Sequence, residues 1–276
     1  MESKLLIISP VYNEERLLPF HFHYYNYLID LQRNKESNLI YIDFGSDDSS
    51  VELIQSFIAQ NPNVSLIHCD TKEHREDVLM LFRNHYYKQF SSPADESNYD
   101  WVFTVDIDEF LFNRRLIEIL DSKKDSDTTI FKMKGYDVVM DSVPETKFTC
   151  EDILDNYTLE GIRDTSLDKN LIFNPSKVDI QHDFGCHTAQ PRGFRSLFYK
   201  NGDVFWDDTV VYNLSFRYLG VDYFRHINTE KSKRTKEYAK KTHYGFHYEN
   251  HLEDMDSNIK WYNDYTRKKE LLNLDD

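Results

Sequence analysis

The chain has 276 residues, with 33 Lys and Arg against 48 Asp and Glu, a formal net charge of −15. That balance argues against a general binder of nucleic acid or anionic membranes, whose footprint is basic, and an aromatic content of 15% argues against a disordered chain. No apolar run reaches the roughly 18 residues of a membrane-spanning helix, and the first residues lack the basic and long apolar parts of a signal peptide.

Residues 4–9 are a short apolar run ended by Pro10, which reads as a buried strand. Residues 13–31 carry apolar positions at helical spacing. Residues 39–44 read as a second strand, leading into the polar loop 45–50 and a helix over 51–60 that stops at Asn61-Pro62. A third strand over 64–68 precedes a helix over 74–90, a polar loop over 91–98 and a fourth strand over 99–105. Strands alternating with helices predict an α/β fold, a mostly parallel sheet with helices on both faces.

Beyond residue 115 the pattern is less regular. Residues 128–134 read as a strand and 135–167 as mixed loop and short helix. Residues 171–173 and 178–180 read as short strands around Asn174-Pro175, and 196–205 as a hairpin turning at Asn201-Gly202. From about residue 209 the chain is expected to be helical and strongly charged. No linker separates the halves, so one domain is expected, with residues 1–115 forming a nucleotide-binding half and 116–276 completing the site. Cys69, Cys150 and Cys186 are odd in number and widely spaced, which suits reduced thiols in a cytoplasm.

The principal chemical signal is Asp106-Ile107-Asp108. In a strand, residues i and i+2 share a face, so both carboxylates would point one way and Ile107 the other. At the carboxyl end of a parallel strand, two carboxylates suit Mg2+ or Mn2+ bridged to a diphosphate. The pattern alone is weak: Asp125/Asp127 and Asp254/Asp256 repeat it, but only the first pair follows an apolar run, Trp101-Val102-Phe103-Thr104-Val105. Its bland reading is a solvated strand terminus.

Two loops add to it. Ser9-Pro10-Val11-Tyr12-Asn13-Glu14-Glu15 leaves the first strand and suits a nucleobase; its bland reading is a helix start capped by Asn13. Asp43, before the loop 45–50, suits a ribose or base edge; its bland reading is a turn. His187, in Gly185-Cys186-His187, suits a further metal ligand, although a single His among 11 is more often a packed or surface residue. His243, His247 and His251 are four apart, but Gly245 argues against one helical face. The absence of GxxxxGK[ST], GxGxxG and GxSxG weakens kinase, dehydrogenase and serine-hydrolase readings.

Taken together, these pieces resemble the family 2-like glycosyltransferases of the GT-A fold. The resemblance covers Ile8 to Glu15, Ile42-Asp43 through Ser49, and Trp101 through Asp106-Ile107-Asp108-Glu109-Phe110-Leu111. It continues with Gly135-Tyr136-Asp137, Asp168-Lys169, Phe173-Asn174-Pro175, Gly185-Cys186-His187, Tyr218-Leu219-Gly220 and Gly245-Phe246-His247-Tyr248. It implies a single GT-A-like, Rossmann-like domain with a helical C-terminal part. The implied activity is metal-dependent, inverting transfer of a sugar from a nucleotide donor, usually a uridine diphosphate sugar, to an acceptor hydroxyl. Mn2+ or Mg2+ would be held by Asp106, Asp108 and His187. Pro10, Tyr12, Asn13, Glu14, Asp43, Arg75, Asp106 and Lys169 would bind the nucleotide sugar.

Asp168 is the expected base, with Asp141 and Asp207 as alternatives. Two departures stand out: Ser215 where the subgroup often has His, and Glu76 where it tends to have Gln. A nucleotidyltransferase on the same scaffold and a non-catalytic sugar-nucleotide binder are the competing readings. A glycoside hydrolase also needs two carboxylates but neither metal nor nucleotide loop. Polysaccharide, lipid-linked glycan, protein and modified DNA base are open as acceptors. The acidic charge disfavours DNA, despite the basic stretch Lys231, Lys233, Arg234, Lys236, Lys240 and Lys241, whose bland reading is a solvated helix face.

Overall fold

The computed structural model describes residues 2–32, 36–69, 76–90, 99–155, 158–182, 189–193, 205–242 and 255–274. Strand β1 (Leu5–Val11) is buried on both sides. Leu5, Ile7 and Val11 join one apolar cluster, Leu6 and Ile8 another, as a central parallel strand covered by helices requires. With β2 (Asn38–Asp43), β3 (Val64–His68) and β4 (Trp101–Thr104) it forms a parallel unit in the order β3-β2-β1-β4. Helices α1 (Leu18–Gln32) and α2 (Ser50–Gln60) cover the first layer through Tyr24, Tyr25, Leu28, Ile54 and Phe57. Helix α3 (Glu76–Phe90) covers the second through Tyr87. The α/β architecture read from the sequence is the one the chain adopts.

The first helix starts at Leu18 rather than 13, because Asn13 takes a left-handed backbone, φ 52°, and turns the chain before the helix begins. After β4 come β5 (Glu109–Phe112) and α4 (Leu116–Lys123), neither of which the sequence reading contained. Strand β6 (Ile130–Met140) is longer than expected. Residues 135–167, expected as loop and short helix, hold its second half, α5 (Cys150–Asp155), β7 (Glu160–Arg163) and a 3-10 turn at Thr165–Leu167.

Short strands β8 (Ile172–Phe173) and β9 (Val178–His182) fall where expected, and β9 pairs antiparallel with β10 (Ala189–Gly193). The sheet continues from β4 through β8, β6 and β7 by antiparallel pairings.

The helix expected from residue 209 is corrected. Residues Trp206–Leu219 form β11, which lies parallel to β6 and antiparallel to β5. Its Tyr212, Leu214 and Phe216 enter the core, and Asn213, Ser215 and Arg217 occupy the alternate positions, a period of two that only a strand satisfies. Gly220, at φ 85°, ends it; a Cβ there would lie 2.2 Å from the Asp141 carbonyl oxygen. Only then do α6 (Val221–Thr242) and, further on, α7 (Met255–Thr266) begin, with β12 (Glu270–Leu271) closing the sheet beside β7. The hairpin turn at Asn201-Gly202 and the histidines His243, His247 and His251 lie outside the described residues. Among the described residues no helix is long and apolar enough to cross a membrane.

Candidate active site

Strand β1 has β2 on one side and β4 on the other, so chain order reverses between β1 and β4. The crevice beyond the carboxyl ends at such a switch point is where open α/β sheets bind ligands. Asp106 and Asp108 lie there, on the turn between β4 and β5 rather than in a strand. Ile107 is still buried in the first cluster, leaving the two carboxylates half-buried beside it. The turn is held reciprocally: Glu109 N–H donates to the Asp106 carbonyl at 3.0 Å, and Asp106 N–H donates to Glu109 Oε2 at 3.1 Å. From β11, Phe216 N–H donates to the Asp108 carbonyl at 2.7 Å.

Opposite charges converge on this turn. Arg83 of α3 pairs with Asp106 Oδ1, and Lys169 Nζ lies 3.6 Å from Asp106 Oδ2 and 2.6 Å from Glu109 Oε1. Burial pushes the Asp108 carboxyl up; Lys231 opposes this, the negative charges of Asp106 and Glu109 add to it, and Arg217 opposes it again. Arg217 in turn holds Asp137 through Nε–Oδ1 at 2.7 Å and Nη2–Oδ2 at 3.1 Å, and Asp164 at 2.8 Å.

The two loops after β1 and β2 are fastened together. Asn13 N–H donates to Ser46 Oγ at 3.0 Å, Glu14 N–H to Ser50 Oγ at 2.9 Å and Glu15 N–H to Asp48 Oδ2 at 3.1 Å. Asp43 is buried and accepts from Gly45 N–H at 3.2 Å and Ser46 N–H at 3.1 Å, with His68 Nδ1 3.4 Å away. Asn13 Nδ2 also donates to Glu230 Oε2 at 3.2 Å, which brings α6 over the loops. Pro10 pairs in register with Ile42, and Tyr12 packs on the second cluster.

The structure therefore brings together Pro10, Tyr12, Asn13, Glu14 and Asp43 on the two loops, and Asp106, Asp108 and Lys169 at the turn. Asp168 accepts Gly135 N–H at 2.8 Å and pairs with Arg163 at 2.5 Å. Of the alternative bases, Asp207 is buried against Lys123 at 2.8 Å and Asp141 is exposed. Ser215 is fully buried, between Asn213 and Arg217 on the polar side of β11.

Arg75 and His187 lie outside the described residues. Among the described residues no group of three His, Cys, Asp or Glu side chains makes a metal cluster. Sequence reasoning missed Arg83, which carries no local signal, and Glu109, which stood in the quoted motif without a role.

No family model matches the chain, and no curated protein matches it. Among solved structures, it is similar to S. aureus TarS 1-349, with a TM-score of 0.45, 14% identity, and 83% of this chain and 65% of that one covered. It is also similar to GalNAc-T7 with UDP, GalNAc and Mn2+, with a TM-score of 0.43, 12% identity, and 81% of this chain and 47% of that one covered. A third similar structure is the mannosyltransferase PcManGT from Pyrobaculum calidifontis in complex with GDP-Man and Mn2+, with a TM-score of 0.34, 12% identity, and 48% and 36% covered. The chain thus spans less than two thirds of the length of these structures.

Proposed function

We propose that the chain is a metal-dependent, inverting glycosyltransferase of the GT-A fold, moving a sugar from a nucleoside diphosphate donor, a UDP-sugar, to an acceptor hydroxyl. The observation that carries the reading is the position of Asp106 and Asp108 at the β1/β4 switch point, next to two loops locked to each other by Asn13 and Asp47. The loops offer backbone groups, Tyr12, Asn13 and the carboxylate of Asp43 to a base and ribose.

The donor chemistry fits a hard divalent cation, because Asp106 and Asp108 are half-buried carboxylates two residues apart on one turn, the oxygen donors such an ion takes. Asp108, with Asp106 beside it, would hold Mn2+ or Mg2+, and His187 would complete the set. When bound, such an ion supplies Lewis-acid stabilisation of charge on the departing diphosphate. Inversion by direct displacement needs no enzyme nucleophile; it needs a carboxylate to take the acceptor proton, and Asp168, adjacent to Lys169, is the residue assigned here. The acceptor is a glycan, lipid-linked or other hydroxyl compound.

The test is incubation with Mn2+ and a panel of nucleotide sugars. Release of nucleoside diphosphate supports the reading, and release of pyrophosphate favours a nucleotidyltransferase. No thermal shift with any nucleoside diphosphate plus metal would sink both.

A further inference from the structure

Glu109 lies beneath the Asp106–Asp108 turn and is 2% exposed. Three donors converge on its carboxylate: Asp106 N–H at 3.1 Å on Oε2, and Lys169 Nζ at 2.6 Å and Asn213 Nδ2 at 3.3 Å on Oε1. Asn213 directs its NH2 to Glu109 and to the Leu167 carbonyl at 3.1 Å, although its Oδ1 then has no hydrogen-bond partner. A flipped amide would set that oxygen against the carboxylate, so the negative charge of Glu109 dictates the choice. Lys169 is 4% exposed, its ammonium placed between Glu109 and Asp106 instead of facing solvent.

We propose that Glu109 is a positioning residue, fixing the Asp106 carboxylate through its backbone N–H and through Lys169 so that the turn is pre-shaped for a divalent cation and a nucleoside diphosphate. The inference rests on the glycosyltransferase reading. Three carboxylates within four residues repel one another, and a flexible turn would relax by swinging them apart into solvent. Lys169 and Arg83 offset Glu109 and Asp106, and Lys231 and Arg217 bear on Asp108, so the three carboxylates stay together on one turn. The ordering is complete before ligand arrives, and a preformed site binds more tightly than one that must be ordered on binding.

The test measures UDP binding by calorimetry with and without Mn2+, alongside thermal unfolding, for wild type, Glu109→Gln and the double variant Glu109→Gln/Lys169→Met. Glu109→Gln keeps an acceptor for Asp106 N–H but drops the charge that seats Lys169. The double variant removes both buried charges and so avoids leaving one unpaired. In the Mn2+ arm both variants should bind UDP at least tenfold more weakly than wild type. In the metal-free arm Glu109→Gln should bind UDP as wild type does, and the double variant, read only for stability there, should melt within a few degrees of wild type. Mn2+-dependent affinity within twofold of wild type in Glu109→Gln would overturn the positioning role alone, as would equal losses in both arms. A wild-type protein that binds no nucleoside diphosphate with any metal would overturn this assignment together with the reading it rests on.

Discussion

Asn13 and Asp47 bind each other twice: Asn13 Nδ2 donates to Asp47 Oδ1 at 2.6 Å, and Asp47 N–H donates to Asn13 Oδ1 at 2.9 Å. The pair joins the loop after β1 to the loop after β2, and it forms because Asn13 takes φ 52°, a conformation Asn tolerates better than other side chains. Asn13→Ala loses this pair together with the hydrogen bond to Glu230 and strains the backbone, and should cost about 2 kcal/mol. Asn13→Gly loses only the bonds and should cost about half as much. Urea denaturation checks the order, which must invert if the left-handed turn is unimportant.

Two histidines are buried as neutral rings. Burial holds His21 down to about 3 against the opposing field of Asp106. Burial, reinforced by Arg83 and Lys169, does the same for His182. In the unfolded chain each protonates near 6.5. Between those values the unfolded state binds more protons, so stability is full above pH 6.5 and falls as pH drops towards 3, by about 1.4 kcal/mol per pH unit for each ring. NMR titration should show neither ring protonating above pH 5 in the folded protein. A ring titrating near 6.5 would contradict its burial.

Arg217 and Asp137 form a two-contact ion pair beside the site, the Asp137 side chain fully buried and Arg217 29% exposed. Asp137→Asn leaves Asp164 as the carboxylate hydrogen-bonded to the guanidinium and should destabilise by about 3 kcal/mol. Adding Arg217→Met should recover part of that loss, because it removes the unpaired charge. Chemical denaturation of the two variants measures the difference.

The parallel half of the fold was legible because its strands are short apolar-rich runs and turn signals separate the elements, as where Asn61-Pro62 stops α2 before β3. Strand β11 was not read, although Val210-Val211-Tyr212 is β-favouring and Tyr212, Leu214 and Phe216 alternate with polar residues. Its charged neighbours in α6 dominated the reading of that stretch. The Asp106–Asp108 pair was visible from the apolar run before it, but the surroundings that set its charge were not. Arg83, Lys169 and Lys231 come from three distant segments, and only the topology brings them to one turn.

The most direct measurement is Mn2+-dependent turnover of a UDP-sugar by Asp108→Asn, with Asp125→Asn as the control. Asn keeps the shape of Asp108 and removes one negative charge beside the cation and diphosphate, while Asp125 is exposed and outside the crevice. The account predicts a fall of about a hundredfold or more in turnover for Asp108→Asn, an unchanged fold, and wild-type activity for Asp125→Asn. Full metal-dependent activity in Asp108→Asn would contradict the placement of the site.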